Sequence, residues 1–136
     1  MITWSFVEAL ENPKTVEMFE ADYGITFPEA YKEVVRKYNN GYPSKNVFSL
    51  PSGERCILNH LYSFNRSDAE NMWDFNSHET LKEEGFVAFA DDSFGNPIGF
   101  RLADGAVVVV DYDTEETVEI AKDFSALLCQ LRNAAE

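Results

Sequence analysis

Cysteine is scarce in this chain. Only two of its 136 residues are cysteines, Cys56 and Cys129, and they form no CxxC motif. Cys56 lies in a stretch of alternating apolar residues and Cys129 in a predicted helix, so we expect both to be buried free thiols. Free thiols are typical of proteins in a reducing compartment. The sequence therefore favours a cytoplasmic protein without structural disulfides.

Long apolar runs are also missing. The longest, residues 106–110, is far shorter than the ~20 residues that a membrane-spanning helix needs. The first residues carry neither a basic region nor a long apolar stretch, so we expect no signal peptide. The composition nevertheless supports a packed core, because 45% of the residues are hydrophobic and 14% are aromatic. We predict one domain spanning residues 1–136.

Basic residues are few. The chain has 11 Lys and Arg against 24 Asp and Glu, which gives a net charge of −13. This sign disfavours nucleic acid and anionic membranes as partners. Residues 66–123 hold fifteen acidic and four basic side chains, a net charge of −11, and the other residues sum to −2. An acidic half of this kind can bind a basic partner or can simply keep the surface solvated, and composition leaves both interpretations open.

Residues for catalysis or metal binding form no known motif. His60 and His78 are eighteen residues apart, without HxH or HxxxH spacing. The segment 91–96 lacks the alternating acids of a calcium loop, and its charge is wrong for phosphate. Nucleophilic catalysis would require His60 to approach Cys56, which the sequence does not exclude. We therefore expect no catalytic residue, no metal and no cofactor, and hence not an enzyme.

Apolar periodicity predicts helices near both ends of the chain. The predicted helices are residues 3–10, 15–23, 28–38, 68–84 and 124–134. Pro28 suits the first position of its helix, and Gly24 and Gly85 are helix-ending residues. Asp68 and Asp123 are the predicted N-caps of the last two helices.

Short alternating segments predict an antiparallel sheet built mainly from residues 46–64 and 86–121. The turns at 91–96, 104–105 and 113–116 are too short for parallel connections. Helices grouped around such a meander define the α+β class. We expect Gly95 or Asn96 to have a positive φ. We also expect Asp92→Ala to be nearly neutral in stability. The helix residues expected to pack on the sheet are Tyr31, Val34, Val35, Phe124, Leu127, Leu128 and Leu131.

Aromatic side chains beside acidic ones mark candidate partner-binding residues, because aromatics anchor protein interfaces and acids speed association with a basic surface. Trp73 is the best candidate for partial exposure. Phe75 and Phe94 also stand beside acids, although a place in the core is the stronger alternative for both. Alternate turns of a meander share one end of the sheet, so the turns at 91–96 and 113–116 should meet. The predicted partner-binding residues are Trp73, Asp74, Asp91, Asp92, Asn96, Asp111, Tyr112, Asp113, Glu115 and Glu116.

Three stretches of the chain, taken in order, form a recognisable pattern. The first is Gly-Ile-Thr-Phe-Pro-Glu-Ala-Tyr at residues 24–31, followed by Tyr-Asn-Asn-Gly at 38–41. The second is Val-Ala-Phe-Ala-Asp-Asp at 87–92, followed by Gly-Asn at 95–96. The third is Glu-Ile-Ala-Lys-Asp-Phe at 119–124. Together, these three stretches resemble the SUKH superfamily over most of the chain.

The resemblance implies a non-catalytic, protein-binding domain. Most bacterial members of the superfamily are immunity proteins that neutralise polymorphic secreted toxins, and eukaryotic members regulate cell-wall assembly. The implied partner is a toxin domain with a basic surface, often a nuclease, met in the cytoplasm. A regulatory scaffold related to regulators of cell-wall glucan synthesis is the alternative. The partner's identity and the oligomeric state are left open by the sequence.

Overall fold

A six-stranded antiparallel sheet forms the centre of the structure, a computed structural model in which residues 1–134 are described. The elements in chain order are β1 (Trp4–Ser5), α1 (Thr15–Tyr23), α2 (Glu29–Tyr38), β2 (Tyr42–Pro43), β3 (Val47–Ser49), β4 (Arg55–Leu61), α3 (Met72–Phe75), α4 (His78–Glu84), β5 (Phe86–Asp92), β6 (Pro97–Arg101), β7 (Val107–Val110), β8 (Thr117–Ala121) and α5 (Phe124–Gln130). Strands β3 to β8 lie side by side in sequence order. The predicted α+β class and antiparallel meander are confirmed.

Helices α2 and α5 cover one face of this sheet. Tyr31 of α2 is fully buried, and its ring centroid lies 5.3 Å from those of Phe89 and Phe100. Phe124 opens α5 and packs against Tyr31 edge to face at 5.4 Å. Aromatic pairs in such geometries add about 0.5–1.5 kcal/mol each beyond the area they bury. Of the residues predicted to pack here, only Val34 and Leu128 are half-buried rather than fully buried.

The opposite face of the sheet is lined by smaller side chains. Gly99 of β6 pairs with Ala88 of β5 and with Val108 of β7. A Cβ on Gly99 would lie 2.7 Å from the ring of Phe86, so the aromatic ring rests directly on the glycine. Because successive strand residues point to opposite faces, Ala88 and Val108 face away from α2 and α5. The segment containing α3 and α4 covers only part of this second face.

The predicted helix at residues 3–10 is wrong. Residues 4 and 5 form β1, which pairs with β2 through Trp4 opposite Pro43. Phe6 has a φ of 56°, a left-handed conformation that no helix can continue through. Trp4 stacks on Tyr38 at 5.8 Å, so tertiary packing overrides the weak helical spacing of this segment.

The predicted helix at residues 68–84 is two short helices instead. Asn71 and Ser77 are their N-caps, each accepting a backbone N–H with its side chain. Between them, Asn76 donates to Ala88 O and accepts from Ala88 N–H, both at 2.9 Å. This pair of bonds anchors the segment to β5 and interrupts the helix. Asp68 caps neither helix and accepts a bond from the Ser63 hydroxyl.

The C-terminal helix is shorter than predicted. Asp123 caps it as expected, accepting Ala126 N–H at 2.8 Å. The helix ends at Gln130, because Arg132 leaves it to exchange backbone hydrogen bonds with Val47. Cys129 is exposed on this helix, so the expectation that both cysteines are buried is correct only for Cys56. Within residues 1–134, no helix is long and apolar enough to cross a membrane.

Candidate partner-binding surface

The turns that follow β5 and β7 meet at one end of the sheet, as predicted. The side-chain carbonyl of Asn96 accepts the backbone N–H of Tyr112 at 3.1 Å. This single bond links the two turns across sixteen residues of chain. The exposed residues of both turns therefore belong to one continuous surface.

Asp92 organises the first of these turns from the inside. Its carboxylate accepts the backbone N–H groups of Phe94 and Asn96, both at 2.9 Å, and the Asn96 side-chain amide at 3.1 Å. Gly95 has a φ of 83°, which confirms the predicted positive φ in this turn. Asp92 is only 3% exposed, so it shapes the surface but is not itself an exposed contact residue. The expectation that Asp92→Ala is nearly neutral for stability conflicts with this arrangement.

Asp91 also points into the protein. All seven residues of β5 are buried, and Asp91 is 6% exposed. Its carboxylate accepts the Asn59 side-chain amide at 3.1 Å. Burial raises the pKa of Asp91, and its bonds with Asn59 and Tyr62 only partly oppose this effect. The sequence interpretation treated Asp91 as exposed because it could not show that this strand end is covered on both faces.

Three side chains in this region could hold a metal ion. The ligand atoms of His60, Glu70 and Asp91 lie within 4.8 Å of one another. His60 Nε2 is 2.9 Å from Glu70 Oε1, and the imidazole ring stacks on Tyr42 at 4.6 Å. The other ring nitrogen of His60 is buried without a partner. Since His60 and Glu70 bind each other directly, no ion is needed to hold these two side chains together, and the absence of a metal remains a prediction.

Two of the aromatic candidates are far more exposed than the sequence indicated. Phe94 is 83% exposed at the tip of its turn, and Phe75 is 42% exposed at the end of α3. Phe75 stacks on the buried ring of Tyr62 at 4.3 Å, which fixes its position. Tyr112, one of the predicted partner-binding residues, is 65% exposed. The core interpretation of Phe75 and Phe94 is therefore wrong, and both are available for contact.

Trp73 and Asp74 lie away from the two turns. Trp73 is half-buried, as predicted, with its ring edge-on to Phe19 at 5.7 Å and beneath the guanidinium of Arg66 at 4.3 Å. It lines a separate groove of about 410 Å³ together with Met18. Asp74 is exposed and accepts from the Asn71 side chain at 3.0 Å. The structure therefore places Trp73 apart from the surface that the two turns form.

Tyr112 and Asp111 form a ridge between two cavities. The first, of about 650 Å³, lies between the α3–α4 segment and the second face of the sheet. The second, of about 310 Å³, lies on the other side, beside Phe94 and Cys56. Burial raises the pKa of the Cys56 thiol, which therefore stays protonated and unreactive at neutral pH.

The electrostatic character of this end is strongly negative. Asp113, Glu115 and Glu116 are exposed. Among the described residues that line the two cavities, Arg101 is the one base. Asp104 binds its guanidinium through two oxygens at 3.0 and 2.8 Å, and Glu119 adds a bond at 2.6 Å, raising the pKa of Arg101. Its charge is thus already paired within the protein.

The larger cavity was missed by sequence reasoning. Thr80, Glu84 and Thr117 line it, and none of them stood out in the sequence. The one available signal is the run 107–110, which is apolar on both faces and is typical of a central strand. That run does not reveal that α3 and α4 are too short to cover the second face completely.

Comparison with protein families agrees with this architecture. A family model described as SMI1-KNR4 cell-wall, of the SUKH group, matches residues 13–128. The chain therefore belongs to this family, and the resemblance seen in its three motifs is confirmed. The matched region includes both turns and the residues that line the two cavities. A search of curated proteins finds none that matches.

Proposed function

We propose that this protein is a non-catalytic immunity protein that binds and neutralises a toxin domain in the cytoplasm. Membership of the SUKH group supports a protein-binding role. The observation that carries the proposal is the bond between Asn96 and Tyr112, which holds the exposed rings of Phe94 and Tyr112 in one acidic surface. Exposed aromatic rings beside carboxylates are suited to a basic protein partner.

The two kinds of side chain have different roles in this proposal. Phe94 and Tyr112 supply apolar area that a partner can bury, which slows dissociation. Asp113, Glu115 and Glu116 produce a negative field that speeds the approach of a basic surface. A nuclease toxin binds the phosphates of its substrate with a basic groove, so an acidic protein bound there excludes the substrate. Inhibition then requires no chemistry by the immunity protein.

A regulatory scaffold for cell-wall synthesis is the second candidate. The description of the matched family, which names the cell wall, favours it. The same surface would then bind an intracellular regulator rather than a toxin. The gene next to this one separates the candidates, because an immunity gene is expected beside the gene of a secreted toxin.

The test is binding to the toxin domain encoded next to this gene, measured by co-purification and by association kinetics. We expect a stable complex whose association rate falls steeply as salt rises from about 20 to about 500 mM, because exposed charges more than ~10 Å apart are then screened. A double reversal to lysine at Asp113 and Glu116 should slow association by about tenfold or more at low salt.

The matched control is a double reversal to lysine at Glu8 and Glu33. Both residues are exposed, and the change in net charge is the same. If the two double variants slow association equally, the acidic surface acts only through net charge. A wild-type protein that fails to bind the neighbouring toxin would contradict the immunity role itself.

A further inference from the structure

The 650 Å³ cavity is a groove with an apolar floor and an acidic rim. Its floor is the second face of the sheet, where Ala88 and Val108 are 2% and 1% exposed and Val110 is half-buried. One wall is the α3–α4 segment, which Asn76 anchors to β5. The opposite wall is the turn that carries Tyr112. Both walls are therefore fixed by hydrogen bonds and can bind a ligand without reorganising.

The rim carries negative charge, and within residues 1–134 none of its carboxylates forms a salt bridge. Glu84 and Glu115 are exposed and line the groove from opposite walls, and half-buried Asp111 lies beside Tyr112. The one base among the described lining residues is Arg101, and Asp104 and Glu119 already bind its guanidinium. A ligand with positive charge and an apolar part complements this groove, whereas an anion does not.

We propose that this groove binds an arginine-bearing segment of the partner protein. An apolar side chain of that segment packs against half-buried Val110 at the edge of the floor. The neighbouring arginine lies at the rim, where its guanidinium stacks on the exposed ring of Tyr112 and pairs with Glu115. This inference rests on the proposed function and adds to it a defined pocket and a defined residue type in the partner.

Size and geometry decide the kind of ligand. A cavity of 650 Å³ accepts several side chains rather than a single small cation. Arginine suits the rim better than lysine, because a planar guanidinium can stack on an aromatic ring while it binds a carboxylate through two N–H groups. Lysine is a compact point charge that keeps its water more strongly. The groove should therefore distinguish the two basic residues.

Blocked dipeptides test the groove without a known partner. The probes are acetyl-leucyl-arginine amide, the lysine analogue and the neutral citrulline analogue, titrated into the isotopically labelled protein and followed by amide chemical shifts. We expect saturable shifts at Thr80, Gly85, Tyr112 and Glu115, with arginine binding about threefold or more tightly than lysine. Citrulline should produce no saturable shift. Equal binding of arginine and citrulline, or shifts confined to other surfaces, would overturn the inference.

A filled groove provides the second test. Thr117 is exposed and lines the groove, so Thr117→Arg places a guanidinium there from within the chain. We expect this variant to fold normally by circular dichroism and to lose arginine-peptide binding by about tenfold or more. Thr26→Arg is the matched control, since Thr26 is exposed and lies outside the groove. Unchanged peptide binding in Thr117→Arg would contradict the inference.

The two proposals fail in different ways. If the neighbouring toxin binds wild type and Thr117→Arg equally well but not the Asp113 and Glu116 double reversal, the immunity role stands and the groove is not its docking site. If no toxin binds the wild type, the immunity role fails, and the peptide titration still decides whether the groove selects arginine.

Discussion

Asn96 and Tyr112, sixteen residues apart, are joined by a hydrogen bond from the Tyr112 backbone N–H to the Asn96 side-chain carbonyl at 3.1 Å. The amide group of the same Asn96 side chain donates to the Asp92 carboxylate at 3.1 Å. Asn96 thus connects the buried Asp92 carboxylate of the first turn to the backbone of the second turn. This connection helps to hold the backbone that carries the exposed Tyr112 ring.

Replacing Asn96 with alanine removes both of these bonds. We expect the free energy of unfolding to fall by about 1–2 kcal/mol, measured by urea denaturation, because two hydrogen bonds of about 0.5–1.5 kcal/mol each are lost. Toxin binding should weaken by more than the stability loss explains, since the Tyr112 ring is released. Full affinity in a folded Asn96→Ala protein would show that the two turns act independently.

Asp92→Ala tests how much the buried Asp92 carboxylate contributes to the stability of the fold. Three N–H donors lose their acceptor, and a charge-assisted bond contributes about 1.5–3 kcal/mol. We expect a stability loss of about 2 kcal/mol or more by denaturant unfolding. The control is Asp113→Ala, which removes the exposed carboxylate directly after Tyr112 and should change stability by less than about 0.5 kcal/mol. Equal effects of the two substitutions would mean that the Asp92 bonds carry no net stability.

Sequence patterns predicted most of the fold because its local signals agree with its packing. Gly24 and Gly85 end helices in the left-handed conformation, and Asp123 caps α5, as their residue types indicated. The apolar stripes on α2 and α5 identified the core face correctly. Short turns fixed the antiparallel order of the strands, since no crossover can be made with so few residues.

The errors have a common physical cause, which is contact between residues that are distant in sequence. Asn76 breaks a helical pattern because its amide binds the backbone of Ala88, and no local rule anticipates such a bond. Asp91 is an acid in an acidic stretch, yet β4 and the Glu70 segment cover it. Phe94 is a large aromatic residue that a composition argument places in the core, but it occupies the tip of a turn and is 83% exposed. The sequence therefore predicted which region of the chain forms the site, but not which side chains in that region are exposed.

The buried carboxyl of Asp91 makes stability depend on pH. Its pKa is raised in the folded protein mainly by burial, so the folded state holds this proton more tightly than the unfolded state. Its contribution is therefore favourable below the unfolded pKa, about 3.9, and is lost as pH rises through the higher folded value. Asp91→Asn removes this dependence while keeping an oxygen that accepts from Asn59.

We expect Asp91→Asn to be at least as stable as wild type at neutral pH, measured by denaturant unfolding. The difference should shrink as the pH falls below the raised pKa, because the wild-type carboxyl is then neutral as well. The matched control is Asp113→Asn, which alters an exposed carboxylate and should show no such convergence. A clear loss of stability in Asp91→Asn at pH 7 would mean that the ionised carboxylate is required, for example by a cation held with His60 and Glu70.

A substitution at Glu115 should change stability and binding in opposite directions. It has a φ of 60°, although it is not glycine, and its side chain lines the groove beside Tyr112. A left-handed conformation costs a residue with a Cβ about 1–2 kcal/mol, which glycine avoids. We therefore expect Glu115→Gly to raise the free energy of unfolding by up to about 1 kcal/mol, after the greater entropy of an unfolded glycine is counted. The same substitution should weaken binding of the arginine dipeptide and of the toxin.

Asp113→Gly is the control, because Asp113 has no positive φ among the described residues and should only lose stability. A Glu115→Gly protein that gains stability and keeps full binding would show that the turn tolerates the strain for no functional reason, whereas a gain in stability with a loss of binding would identify Glu115 as a contact residue of the groove.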